Sequence, residues 1–260
     1  MRDKIEIRRS LIKKFRKPLY RPFIEAIKKY NLIKPGDRIM SCVSGGKDSI
    51  TLSLLLQELY DHGDRNFELK HIMMNPGFTE DYLNTIKSIY DNLGLELEIF
   101  KTDIFEITEK IAGENPCFLC ARMRRGALYQ KAQDIGFNKI ALGHHMDDVI
   151  ETTLMNMFMQ GSYKNMLPML DSKNFKKLKL IRPLYLCKEE DIIRFRDYAG
   201  LNSLDCACIL TRKSLITSRD KIKEMLKDIE EKLPGAKKNI QKSIENVYID
   251  TVISTREGGK

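Results

Sequence analysis

Three short stretches of this 260-residue chain hold side chains able to do chemistry. The first is Ser44-Gly45-Gly46-Lys47-Asp48-Ser49, set between a short apolar segment (Ile39, Met40, Val43) and a leucine-rich one (Leu52, Leu54, Leu55, Leu56, Leu59). A strand, a glycine turn and a helix start together make an anion site. The first amides of a helix lack partners, and the helix dipole places partial positive charge there. Gly45 and Gly46 let the backbone come close to a ligand. Lys47 adds a mobile cation, and Ser49 can cap the helix or bind an oxyanion. The string is not a Walker loop, whose glycines are separated and whose lysine precedes Ser or Thr. Here the glycines are adjacent and Asp48 follows Lys47.

The second stretch is Pro116-Cys117-Phe118-Leu119-Cys120, placed just before an expected helix that carries Arg122, Arg124 and Arg125. Two thiolates at this spacing can chelate a metal, hold two corners of a cluster or form a redox disulfide. A pair of structural, buried cysteines is the reading without chemistry. Far along the chain, Cys206-Ala207-Cys208 forms another group, with a spacing poorly suited to a zinc knuckle. A three-thiolate site could instead use Cys117, Cys120 and one of that later pair. A [4Fe-4S] cluster held in this way leaves one iron open to an outside ligand, whereas such clusters normally take four thiolates. Cys42 and Cys187 read as core residues or as residues behind the site. The third stretch, Gly143-His144-His145-Met146-Asp147-Asp148, puts imidazoles and carboxylates at a helix start. They can bind metal or orient the loop, and carboxylates also favour any helix N-terminus.

These stretches need elements to position them. Strands are expected at Arg38–Val43, Leu69–Met74, Leu95–Phe100, Lys139–Leu142 and Leu180–Arg182, alternating with helical periodicity near 49–61, 79–93, 121–136, 147–160 and 188–199. That alternation predicts an α/β fold with a parallel, doubly wound sheet. Its ligand crevice lies outside the carboxyl ends of the strands, where the glycine loop, Asn75-Pro76-Gly77 and Gly143-His144-His145 would meet. Further on, Thr217 and Asp220 read as a capping box, and Pro234-Gly235 separates two amphipathic helices.

Composition bounds the rest. Lys and Arg number 45 against 36 Asp and Glu, a net charge of +9. The excess is uneven, with clusters over residues 1–21, at Arg122, Arg124 and Arg125, and at Lys173, Lys176, Lys177 and Lys179. Several such clusters point to a polyanion such as nucleic acid. No apolar run approaches the roughly 20 residues that span a bilayer, and the charged start lacks a secretory apolar region. A cytoplasmic protein with no membrane association is expected, its six cysteines reduced or metal-bound.

The string SGGKDS resembles the PP-loop of ATP pyrophosphatases, which split ATP between the α and β phosphates and use the adenylyl group to activate an oxygen. Together with PCFLC, RRGALY, LGHHMDD, MNPGF, IRPL and MLKDIEEKLPG, it makes the chain from about residue 8 to 248 similar to the TtcA-type tRNA 2-thiocytidine synthetases. That resemblance implies a PP-loop ATPase (adenine nucleotide alpha hydrolase-like) sheet at 38–187, a basic helical element at 1–37 and a helical region at 188–260 carrying the third cluster cysteine. It implies that Ser44, Gly45, Gly46, Lys47, Asp48 and Ser49 hold ATP phosphates, with Met74, Gly143 and His144 near the nucleotide. It further implies that Cys117, Cys120 and Cys206 hold a [4Fe-4S] cluster. The mechanism expected from the residues puts Lys47, Asp48 and Asp147 in catalysis with Mg2+, Asp147 having the alternative role of a carboxylate at a helix N-terminus.

The expected partners are tRNA, a sulfur donor (a cysteine desulfurase or free sulfide) and a second copy in a homodimer. One departure stands out, since DCAC replaces the family's second PCxxC, so Cys206 is the expected third ligand and Cys208 the alternative. The competing readings are a tRNA 2-thiouridine synthetase, a cytidine-lysine ligase, an iron–sulfur thiobase desulfidase and a zinc-stabilised nucleotide-binding module. The cysteines weigh against the ligase, and the phosphate loop weighs against the desulfidase.

Overall fold

The computed structural model describes residues 2–63, 66–111, 116–201 and 217–255. They form two compact units, one of Met1–Met146 with Leu167–Leu215, the other of Asp147–Met166 with Ile216–Lys260.

The first unit is built on a six-stranded sheet of β1 (Arg38–Val43), β2 (Glu68–Asn75), β3 (Leu97–Lys101), β4 (Lys139–Ala141), β5 (Met169–Asp171) and β6 (Lys179–Ile181), in the order β3-β2-β1-β4-β6-β5. β1 pairs in parallel with β2 (Val43 opposite Met73) and with β4 (Ser41 opposite Ala141). Chain order runs outward from β1 through β2 to β3, then resumes on β1's other side with β4. The switch point, where α/β sheets open a ligand crevice, therefore lies between the ends of β1 and β4. Around the sheet stand α1 (Lys4–Ile12), a π turn (Arg16–Tyr20), α2 (Arg21–Lys29), α3 (Lys47–His62), α4 (Glu80–Leu93), α5 (Ile104–Ile111), α6 (Pro116–Asp134) and α8 (Glu189–Ala199). The second unit holds α7 (Met146–Gln160, from its second residue), α9 (Ser218–Lys232), α10 (Ala236–Ile244) and a short 3-10 turn. The expected capping box opens α9, with Thr217 and Asp220 each bonding the other's backbone.

The two faces of the sheet are packed differently. Ser41 and His71 point to the face covered by α3 and α4, where Ser53 and Tyr90 share a 2.9 Å hydrogen bond and His71 Nε2 meets Gln57 at 3.1 Å. Met40, Cys42, Ile72 and Ile140 point the other way and form a wholly apolar cluster with Ala132, Phe137 and Leu178, flanked by Leu128 and Tyr129 of α6.

Three expectations are corrected. The sheet is parallel except at its edge, where β5 runs antiparallel to β6. This strand is short and mostly exposed, so it lacks the apolar run that marks the others. The helix expected from 121 starts at Pro116, so the CxxC lies in its first turn, not before it. Proline suits that position because the first helical N–H has no partner to lose. Ser49 does not cap α3: Gly46 is the N-cap and Ser49 sits one turn inside. The helix α5 was not anticipated.

Candidate functional site

The phosphate loop is held open by its own backbone. Gly45 has φ +86°, a conformation that costs a side-chain-bearing residue dearly. A Cβ there would also stand 2.6 Å from Ile86 and 2.7 Å from the Tyr82 hydroxyl. Gly46 caps α3 without a side chain, so no side chain covers the helix's first amides. Ser49 braces the turn from inside. Its Oγ accepts from the Ser44 amide at 3.2 Å and donates to the Gly46 carbonyl at 2.9 Å. From outside, the Tyr82 hydroxyl donates to the Ser44 carbonyl at 3.1 Å.

Lys47 lies between two carboxylates, 3.2 Å from Asp48 Oδ2 and 3.2 Å from Glu189 Oε1. Burial acts to lower the pKa of its ammonium, but Asp48 and Glu189 outweigh burial and the net shift is upward. The cation is therefore secure at neutral pH, and it sits in a ready-made anionic shell that phosphate oxygens can replace. His145 Nε2 stands 3.7 Å from Asp48 Oδ1. Gly143, on the segment after β4, approaches so closely that a Cβ there would lie 3.0 Å from the Asp48 carbonyl carbon and 3.1 Å from the Ser49 amide. The loops after β1 and β4 thus touch at the switch point, where a side chain at 143 would crowd the backbone of the first turn of α3.

Next to β1, the end of β2 leads to the cysteine helix. Cys120 is buried in a small cluster with Met74 and Ile104, bordered by Phe100, Phe105 and Met123. Met74 belongs to the last turn of strand before Asn75, whose neighbour Met73 pairs with Val43, the residue that leads into Ser44. The structure thus brings the phosphate loop, Met74 and Cys120 to one rim of the first unit. Cys117 lies three residues before Cys120 in α6. The buried sulfur and aromatic setting of Cys120 and this paired donor set suit an iron–sulfur cluster. Among the described residues no group of three metal donors occurs; Cys206 and Cys208 lie outside them. Cys42 and Cys187 are core residues, as expected. Burial pushes the Cys42 thiol up to about 12, and the Cys187 thiol, raised by burial first and by Asp191 second, donates to the Leu19 carbonyl at 3.7 Å.

Asp147 and Asp148 head α7 in the second unit. Asp147 is buried and ion-paired with Lys237 at 3.0 Å, while Arg219 serves Asp148 at 3.6 Å and Glu151 at 3.3 Å. His144 is half-buried beside Gly143 in the first unit. Glu189 and Tyr82 carry no signal in the sequence: Glu189 resembles any acidic residue in a first helical turn, and Tyr82 any aromatic on an amphipathic helix. Asn75, named with Pro76 and Gly77 from the sequence, ends β2.

A family model described as the PP-loop domain matches residues 15–205. The tRNA-cytidine(32) 2-sulfurtransferase of Vibrio cholerae is 38% identical over 239 residues, covering 90% of this chain and 75% of that protein. Its counterpart in Alcanivorax borkumensis is 39% identical over 254 residues, covering 96% and 87%. Among solved structures, the U34-tRNA thiolase NcsA from Methanococcus maripaludis with its [4Fe-4S] cluster superposes with a TM-score of 0.70, at 24% identity, over 87% of this chain and 77% of that one. The last is a likeness of fold.

Proposed function

The chain belongs to the PP-loop family and, within it, to the family of the tRNA-cytidine(32) 2-sulfurtransferases, and from that premise we propose how its residues divide the work. It is an ATP-dependent tRNA sulfurtransferase, which adenylates the C2 oxygen of a cytidine in the anticodon loop and replaces that oxygen with sulfur. The observation that carries the residue assignment is the common rim of the phosphate loop and the buried Cys120, joined through Val43, Met73 and Met74.

In the first half-reaction the C2 oxygen attacks the α-phosphorus of ATP, and pyrophosphate leaves. The uncapped amides of α3 and Lys47 take up the charge that grows on the departing oxygens. Lys47 does so by exchanging Glu189 for phosphate. Asp48 orients Lys47 and supplies a carboxylate for Mg2+. Ser44 and Ser49 fix the loop, Gly143 and His144 border the nucleotide beside the β2 backbone near Met74, and Asp147 acts with this machinery as a carboxylate at the head of α7. In the second half-reaction a sulfide sulfur adds to C2 and AMP departs with the former oxygen. Cys117, Cys120 and Cys206 would hold a [4Fe-4S] cluster, which would supply the sulfur chemistry of this step. Cys120 and its apolar shell keep water from the thiolates. The sulfur comes from free sulfide, or from a cysteine desulfurase whose persulfide sulfur a two-electron thiol reductant releases as sulfide.

The tRNA backbone is held by the basic N-terminal element, where Arg16, Arg21, Lys28 and Lys29 line a cleft of about 550 Å³. Phosphate contacts of this kind position the RNA without reading it and weaken steeply with salt. The enzyme works in the cytoplasm; no described helix is long and apolar enough to cross a membrane. It pairs into a homodimer, supported by the exposed Met157, Phe158 and Met159 on α7.

The test is the nucleoside content of tRNA incubated with the anaerobically prepared enzyme, with and without ATP. The expected product is 2-thiocytidine, formed only with ATP. A 2-thiouridine product would move the target base, ATP-independent loss of sulfur from thiolated bases would indicate a desulfidase, and zinc without iron would remove the sulfur-transfer scheme.

A further inference from the structure

A row of three rings runs from the phosphate loop to the Cys120 cluster. Tyr82 lies against Gly45, as described. The Phe78 ring follows, 4.7 Å from that of Tyr82 and tilted by 43°. Phe105 comes next, 5.5 Å from Phe78 and nearly perpendicular at 81°, and it packs in turn against the cluster of Met74, Ile104 and Cys120. The backbone under the row is tightly fixed. The Asn75 side chain accepts from the amides of Gly77 and Phe78 at 2.9 and 2.7 Å, and the Phe105 amide donates to the Pro76 carbonyl at 2.9 Å. Gly77 stands at φ +124°, and a Cβ there would meet the Phe105 ring at 3.1 Å. The turn needs glycine so that the ring can lie against it.

Phe23 and Phe195 are fully covered, whereas Tyr82, Phe78 and Phe105 are half-buried, side by side at the carboxyl rim of the sheet. The helix that carries Cys120 exposes Arg122 and Arg125 within two turns of it, cations suited to phosphodiester oxygens. An apolar shelf at the rim fits a nucleobase, and the arginines of the neighbouring helix add positive charge to the same unit.

We propose that Phe78, flanked by Tyr82 and Phe105, is the stacking platform that receives the target pyrimidine base once it has left its stack in the tRNA. The proposal rests on the reading that a tRNA cytidine is the substrate. Proteins hold unstacked RNA bases on aromatic faces, and an enzyme that alters atoms of a base must first extrude it. Stacking grips the base by its face and leaves the edge with C2 and its oxygen accessible. The row's two ends are the loop that would bind ATP phosphates and the helix that would hold the sulfur-bearing centre, the two agents that must reach C2 in turn.

The test uses the full-length enzyme with its cluster, a tRNA carrying the stacking-quenched fluorophore pyrrolocytosine at cytidine 32, and the variants Phe78→Leu and Phe78→Tyr. Binding should quench the probe with the unaltered enzyme and with Phe78→Tyr, and not with Phe78→Leu. Thiolation kcat/KM for tRNA should fall roughly 10- to 100-fold in Phe78→Leu, the value of one base–aromatic stack, and return to within about threefold in Phe78→Tyr. ATP affinity should not change, which separates a lost stack from a damaged loop. Quenching and thiolation by Phe78→Leu at the unaltered level would overturn the proposal, as would a loss of ATP affinity equal to the loss for tRNA. An unaltered enzyme that quenches the probe through Phe78 yet forms no thiolated cytidine would support the platform and remove the reading of the reaction.

Discussion

The two faces of the sheet share the same strands and are built from opposite chemistry. On the α3 and α4 side the interior is threaded with hydroxyls, an amide and an imidazole: Ser41, Ser53, Tyr90, Gln57 and His71. On the α6 side it is carbon and sulfur, from Met40 and Cys42 to Phe137, with Met74 and Cys120 in an adjoining cluster. The first face stands behind a helix whose N-terminus must attract an anion. The second carries the buried Cys120 thiol. Strand alternation lets one segment such as Ser41-Cys42 serve both faces. In the proposed scheme the polar packing stands behind the phosphate loop and the apolar packing behind Cys120, and the two meet at the carboxyl rim of the sheet.

If the faces divide the reaction, damage to each should be separable. Cys120→Ala should abolish thiolated product while leaving ATP binding unchanged, measured by nucleoside analysis beside nucleotide titration. Equal loss of both would mean that the cysteine helix merely supports the loop. The converse variant, Lys47→Ala, should cut the ATP-dependent step by about 10²- to 10³-fold, the usual cost of one preorganised charge donor. It should leave iron and sulfide content intact, as read by metal analysis and absorbance. Loss of the cluster in that variant would break the separation.

The phosphate loop was legible because its chemistry is local. Six consecutive residues between an apolar strand and an apolar helix specify the turn, the cation and the helix end. Five strand positions followed from the alternation of periods, and the mostly exposed edge strand Met169–Asp171 did not; their order in the sheet had no signal in the sequence. The cysteine side was less legible. Its helix begins with Pro116, which reads as a breaker as readily as a first helical residue, and its first turn shows no apolar periodicity. Glu189 and Tyr82 reach Lys47 and Gly45 from elements far away in the chain, so no spacing could announce them.

A smaller effect tests the polar face alone. Burial pushes the His71 imidazole down to about 4, against a weaker upward pull from Asp61. Its Nδ1 is buried with no hydrogen-bond partner among the described residues, so folding keeps the ring neutral. The unfolded chain takes up a proton near the ordinary histidine pKa of 6.5, and the folded chain does so only near 4. Stability is thus fully present above 6.5 and is lost as pH falls from 6.5 toward 4, by at most about 1.4 kcal/mol per pH unit. His71→Gln should remove this component from the pH dependence of the denaturant midpoint. An unchanged slope would show that the imidazole is not held neutral, and the polar face would then be wetter than its packing implies.

The smallest effect should come from exchanging two atoms of β1. Ser41 and Cys42 are adjacent and point to opposite faces, so single swaps of oxygen and sulfur probe each face with hardly any change of shape. Ser41→Cys replaces a hydroxyl whose contact with Ser53 is a long 3.4 Å, and should cost less than about 1 kcal/mol. Cys42→Ser places a hydroxyl among Met40, Ile72, Phe137 and other apolar neighbours, with Tyr129 at the border of the cluster. It should cost about 1–3 kcal/mol, lowering Tm by several degrees in a protein of this size. Thermal unfolding of the two variants at one pH decides the matter. If Ser41→Cys proves the more damaging, the hydroxyl network and not the dry packing is what the strand cannot lose. The α6 face would then owe its sulfur and carbon to the thiol centre it adjoins, with no premium on dryness for stability itself.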